Sequence, residues 1–169
     1  MMTLMMVLND ARVIMSILPI IMILMIGGLF GWIYTVGSNL YRRLPQDTDL
    51  NLKRFQYLLL VPVVYMLGII IYILFLANNG MANTLNPFVF LIVVPLHLFS
   101  MFCIFYGIYF MAKALKSVER NANVEVGDYI GEFFLLWFFP VGVWFIQPRI
   151  NKLFGEPQNE SLATADYLQ

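Results

Sequence analysis

Charge is what this chain has least of. Only 12% of its 169 residues are Asp, Glu, Lys or Arg, while 61% are hydrophobic. An average soluble domain carries about 25% charged residues, and half of that does not cover a surface facing water. A bilayer removes the requirement, which points to an integral membrane protein. A single cysteine, Cys103, excludes an internal disulfide and a cysteine-based metal cluster. A single histidine, His97, excludes a bis-histidine haem within one chain. Ten basic and ten acidic residues cancel, so no basic excess speaks for nucleic acid. The chain also lacks a phosphate-cradling Gly-rich loop, G-x-S-x-G, H-E-x-x-H and any nucleophile–base–orienter set. No catalytic residue, metal or cofactor is therefore expected.

What the chain does have is long apolar runs. The first, Val13–Val36, is 24 residues long and passes through Gly27, Gly28 and Gly31 without a small-x-small end. A cleaved signal has a shorter apolar core of about 7–15 residues, so this run is expected to be a retained span. Tyr57–Ala77 and Phe88–Met111 are the next two, with 21 and 24 residues. About 20 apolar residues at 1.5 Å rise cross about 30 Å of hydrocarbon. Helices satisfy their own backbone groups in lipid, so the expected fold is all-α. It has one membrane domain over residues 1–169, with spans at 13–36, 57–77 and 88–111. A fourth hydrophobic segment lies at 129–150, and a polar tail follows at 151–169. The KALKSVE stretch after the third run should continue its helix into water. In the first loop, DTDLNLKRF should open a helix with Asp47, Thr48 or Asp49 near its N-cap.

The fourth segment, EFFLLWFFPVGVWFIQPRINK, raises a topological question. Its apolar run Phe133–Ile146 has only 14 residues, and runs of about 10–14 are more often re-entrant, interfacial or buried than spanning. Asp128 is an N-cap candidate for a helix from Tyr129. Pro140 should break that helix near Phe139 and Gly142 should allow a turn. A second short helix would then run to Pro148. Positive charge beside the spans tests this. Arg12 precedes the first span; Arg42, Arg43, Lys53 and Arg54 fill the first loop; Lys113, Lys116 and Arg120 follow the third span; Arg149 and Lys152 end the fourth segment. Four full spans split these 7 against 3; three spans with a re-entrant fourth split them 9 against 1. Both place the N-terminus outside, and the re-entrant arrangement puts the C-terminus in the cytoplasm. The rival is a kinked fourth span, since Tyr129–Ile150 is 22 residues, long enough if Glu132 is buried or paired. A contact between Glu132 and Arg149 separates the two: a hairpin brings them to one face, whereas a straight span holds them about 25 Å apart.

In lipid, small and polar residues mark the faces that meet other helices. Gly27 and Gly31 form a small-xxx-small pair on span one. Tyr65, Gly68 and Tyr72 share a face of span two, and His97, Ser100, Cys103 and Gly107 a face of span three. Packing of these faces within the chain is the plain reading; self-association through Gly27 and Gly31 is the alternative. His97, Tyr65, Tyr72, Ser100, Glu132 and Arg149 are candidates for an intramembrane polar site, since ionisable groups in spans are rare. His97 is expected to hydrogen-bond a tyrosine or serine. Arg42, Arg43, Lys53 and Arg54 set topology and stand where anionic headgroups lie.

These features favour a small non-catalytic multi-span protein that acts by helix association. It would be a subunit or regulator of a membrane assembly, or a homo-oligomer. An oligomeric transporter or pore built on the broken segment with His97 and Glu132 is the alternative, and a membrane redox or lipid-modifying enzyme a lesser one. The expected partners are the lipid bilayer and either another copy or another membrane protein. The short loops and compact size favour a bacterial inner membrane.

Overall fold

A computed structural model of the protein describes residues 11–79 and 87–155. Among them the chain is all-helical: α1 Ala11–Tyr41, α2 Leu52–Asn79, α3 Pro87–Arg120, α4 Val126–Trp137 and α5 Phe139–Gly155. The connection between α2 and α3, and the tail beyond residue 155, lie outside the described residues. Three helices are long and apolar enough to cross a membrane: Ile17–Tyr41, Leu52–Leu76 and Phe88–Arg120. Their length and composition are those of a multi-pass integral membrane protein.

These helices overrun the expected spans, α2 at its start and α3 at its end. Helix α2 begins at Leu52, with Asp47, Thr48 and Asp49 all upstream of it. Their polar atoms are used elsewhere: the Thr48 hydroxyl donates to the Pro45 carbonyl at 2.9 Å, and Asp49 pairs with Lys113. Helix α3 does continue through KALKSVE, to Arg120. It ends where Asn121 takes a left-handed conformation (φ 49°), which Asn tolerates better than most residues. There the Ala122 N–H reaches back to the Ser117 carbonyl at 3.2 Å, the bond that closes a helix C-terminus. Pro19, Pro62 and Pro95 all lie inside helices, as is tolerated where neighbouring groups re-satisfy the freed carbonyls.

The chain divides into two compact units. One comprises the described parts of Met1–Val36 and Lys53–Gly107, the other Gly37–Leu52 and the described part of Ile108–Gln169. The first holds most of the length of the three long helices. Its buried residues are few: Phe30, Phe55, Leu59, Ile70, Ser100 and Cys103 are the clearest. Cys103 is buried and free, as a small packing residue would be. The second unit is tighter. Leu40, Phe110, Ala112, Ala114 and Ile146 are fully buried, Tyr41 stacks on Phe110 at 6.3 Å, and Tyr109 meets Tyr129 edge-on at 5.8 Å.

Helices α4 and α5 form a helix–break–helix element within this second unit. The break falls at Phe138, whose N–H still bonds the Phe134 carbonyl. The Phe138 carbonyl in turn accepts from the Val141 and Gly142 N–H groups, both at 2.9 Å. Pro140 is the second residue of α5, in the first turn, where a missing N–H leaves no bond unmade. Three local expectations need correction. Helix α4 starts at Val126, not Tyr129, and Asp128 caps from inside it by accepting the Glu125 N–H at 3.2 Å. Helix α5 runs through Pro148 to Gly155. Beyond that proline, Arg149 is anchored by ion pairs and Ile150 is buried, and tertiary anchoring overrides local propensity. Gly142 does not make a turn. It sits where α4 approaches so closely that a Cβ would lie 1.6 Å from the Leu135 carbonyl oxygen.

Candidate functional site

The polar candidates fall into two groups, one in each unit. In the first unit α2 presents Tyr65 and α3 presents His97, and the Tyr65 hydroxyl and His97 Nδ1 are hydrogen-bonded at 3.1 Å. The rings lie 5.7 Å apart at a tilt of 58°. His97 is exposed on its helix, whereas Ser100, one turn on, is buried. Tyr72, two turns beyond Tyr65 on α2, is half-buried.

The second group is ionic. The guanidinium of Arg149 on α5 forks onto Glu119 of α3, Nε to Oε1 at 2.7 Å and Nη2 to Oε2 at 2.5 Å. The same Nη2 donates to Glu132 Oε1 of α4 at 2.8 Å. Lys116 of α3 reaches that oxygen at 3.0 Å and lies 3.8 Å from Glu119. Two cations and two carboxylates thus tie three helices together. Glu132 is the most enclosed of the four, with only 9% of its side chain accessible. Such a bidentate Arg–carboxylate pair adds geometric specificity as well as energy.

A straight fourth helix cannot bring Glu132 and Arg149 within 2.8 Å. The chain turns back between them. Burial opposes ionisation of Glu132 most strongly, but the hydrogen bonds from Arg149 and Lys116 outweigh it and hold the carboxyl below its usual range. The Glu119 carboxylate, aided by Glu132 against burial, raises Arg149 further above its already high value. Glu132 is therefore held as an anion, not as a proton donor near neutrality.

Further pairs border this cluster. Lys113 meets Asp49 at 2.6 Å, and that hydrogen bond holds Asp49 below the usual carboxylate range although the side chain is largely exposed. Arg120 pairs with Asp128 at the start of α4. The Arg43 guanidinium lies 4.2 Å over the Phe154 ring and donates to the Leu153 carbonyl. Arg43 is thus engaged with the end of α5. Arg42, Lys53 and Arg54 are exposed.

Comparison with protein-family models, curated proteins and solved structures finds no match for this chain. Its chemistry has to be read from its own residues. Among the described residues, no three His, Cys, Asp or Glu side chains converge as metal ligands would. The glycines of the expected packing faces differ among themselves. Gly107 is buried with Leu59 3.4 Å from where its Cβ would stand, whereas a Cβ at Gly27, Gly31 or Gly68 would meet no atom within 4 Å.

Glu119 is the residue that sequence reasoning missed. It lies 30 positions from Arg149, and nothing local announces that pairing. The only cue is KSVER, where Lys116 and Glu119 share a helix face at i,i+3 spacing.

Proposed function

We propose that this chain is a small non-catalytic membrane protein that acts by helix association, as a subunit or regulator of a membrane assembly or as a homo-oligomer. The observation that supports this most is the exposed His97–Tyr65 pair on two spanning helices. A polar pair is costly against hydrocarbon, and a covering helix that offers it a further polar contact relieves that cost. The spanning windows bury only 11%, 17% and 11% of their residues, which leaves faces available for such a helix. The neutralised cluster around Arg149 serves this reading as a tether, holding α4 and α5 against the end of α3.

The fold-back of α4 on α5 supports a three-span topology with a re-entrant or interfacial fourth segment. In that topology nine of the ten basic residues share the side of the first loop, the cytoplasmic side by the positive-inside rule. The N-terminus then lies outside and the C-terminus in the cytoplasm, in keeping with a bacterial inner membrane. The helix break at Phe138 favours a second reading, a small oligomeric pore, because broken helices line cavities in such proteins. The paired, ionised state of Glu132 weighs against a proton path through it.

Cross-linking tests the first reading. With Cys103→Ser as background, a cysteine at Val94, exposed one turn before His97, should cross-link to a second copy or a co-purifying membrane protein. A protein that stays uncross-linked, monomeric and without a partner in mild detergent overturns the reading. Proteoliposome flux that falls in Glu132→Gln or His97→Ala would favour the pore instead.

A further inference from the structure

The first unit contains a groove of about 620 Å³ between α1 and α2. Its floor is apolar and set by Gly27, Phe30, Gly31 and Val63, while its other end carries Tyr34, Lys53 and Gln56. The glycines make the room, because no atom stands within 4 Å of where their Cβ atoms would be. At the polar end the Gln56 amide donates to the Tyr34 hydroxyl at 3.2 Å. Lys53 makes no hydrogen bond or ion pair among the described residues. Gly27 lies seven residues before Tyr34 on the same helix, about 10 Å deeper at 1.5 Å rise. The groove therefore passes from an unpaired cation and two hydrogen-bonding side chains near the helix ends to an open apolar bed within the span.

That polarity gradient is the shape of an amphiphile with an anionic head. We propose that this groove is a binding site for one anionic phospholipid. Its phosphate takes the Lys53 ammonium and the Gln56 amide, and one acyl chain lies along Gly31 and Gly27. The charge on Lys53 selects the headgroup, since a basic residue at the surface attracts anionic lipid. The small residues select the place, because there the helix surface recedes beside a cation. The site goes beyond the association reading and does not require it; it rests on the chain being in a bilayer.

The test uses the whole chain, delipidated in detergent and offered phosphatidylglycerol or phosphatidylcholine of equal acyl length, with bound lipid read by native mass spectrometry. One phosphatidylglycerol per chain should be retained in preference to phosphatidylcholine. Lys53→Ala should weaken phosphatidylglycerol about fivefold and phosphatidylcholine, whose phosphate is offset by its own cation, by clearly less. Gly31→Leu, which fills the groove, should weaken both lipids. Gly28→Leu, on the same helix but not lining the groove, should weaken neither. Equal retention of the two lipids, or phosphatidylglycerol binding untouched by Lys53→Ala, reduces the site to ordinary annular lipid and overturns the proposal. A wild-type dimer that Gly31→Leu abolishes would put a second copy in the groove and overturn it too. If Gly31→Leu loses helicity by circular dichroism, headgroup selectivity in Lys53→Ala and Gln56→Ala decides alone. The same spectra report oligomeric state, so a lipid-selective monomer that also brings down no membrane partner in mild detergent would defeat the association reading and keep this site.

Discussion

In the unit built from most of the three long helices, the described polar contacts include two neutral side-chain bonds, Tyr65 with His97 and Gln56 with Tyr34. In the unit built from residues 37–52, the α3 end, α4 and α5, six ion-pair contacts join eight charged residues. One glycine marks the contrast: Gly142 of the second unit is pressed onto the backbone of Leu135, whereas Gly27, Gly31 and Gly68 of the first face open space. The first unit has helices that leave long apolar faces exposed. The second carries its own tertiary constraints. Buried charge is tolerated only where water or a partner charge is near, and in this unit each of the eight has a partner of opposite sign.

The sharpest way to break this contrast is to add one methyl group at two glycines. In Gly142→Ala the new Cβ would sit 1.6 Å from a carbonyl oxygen. Backbone on both sides must move, and a loss of about 3 kcal/mol or more is expected. In Gly31→Ala nothing stands in the way, and a helix-interior alanine should stabilise by about 0.5–1 kcal/mol. Thermal unfolding in detergent, followed by far-ultraviolet circular dichroism, measures both. Equal effects of the two substitutions would mean that α4 and α5 do not approach as closely as described.

Removing the guanidinium comes next in size. Arg149→Ala leaves Glu119 and Glu132 facing each other with only Lys116 between them. Losing one partner of an enclosed pair costs about 3 kcal/mol, here discounted toward about 2 kcal/mol because Arg149 is a third accessible. Arg149→Lys keeps the charge and loses the fork, so it should recover only part. Limited proteolysis of the α4–α5 segment reports whether the loss is local to this unit. An unchanged melting temperature in Arg149→Ala would mean that the cluster carries no stability.

How much of this was legible beforehand depended on the range of the interaction. The three long apolar helices, and a bond from His97 to a tyrosine or serine, follow from hydrophobic length and helical periodicity, which neighbouring residues express; that the partner is Tyr65 and not Tyr72 depends on how α2 and α3 pack. The break in the fourth segment was legible from Pro140 and Gly142, and the Glu132–Arg149 contact followed as the mark of a hairpin. What Gly142 does was not legible, because a turn and a close approach demand the same residue and differ only in what lies opposite. Glu119 was hidden for the same reason, its partner being set by how α5 returns. The start of α2 shifted where a tertiary bond took a candidate cap, at Asp49, and the start of α4 shifted because Asp128 caps from within the helix.

Acid should separate the units further. Glu132 and Asp49 are held below their ordinary carboxylate values, 4.5 and 3.8. The stability they contribute is therefore fully present above those ordinary values and is lost as pH falls through the lowered ones. From pH 7 to 5 the melting temperature should stay nearly flat on their account. Below about pH 4.5 it should fall, and Glu132→Gln should flatten that fall. A decline centred above pH 6 would show that other groups govern the acid response.

The smallest expected effect lies in the apolar unit. Tyr65→Phe removes one hydroxyl from the His97–Tyr65 bond, and His97, being exposed, can turn toward another acceptor or donor. A neutral hydrogen bond contributes about 0.5–1.5 kcal/mol net, and the lower half of that range is expected for the isolated chain in detergent. In the assembled state the balance differs. If a partner helix covers this face, the imidazole left without its tyrosine has no water to turn to, and association should weaken more than stability does. The measurement is thus a pair: the melting temperature of the detergent-solubilised monomer, and the cross-linked fraction at residue 94 in liposomes, each with and without Tyr65→Phe. A drop in cross-linking larger than the melting shift predicts places the hydrogen bond at an interface. Matching drops would confine it to holding α2 against α3.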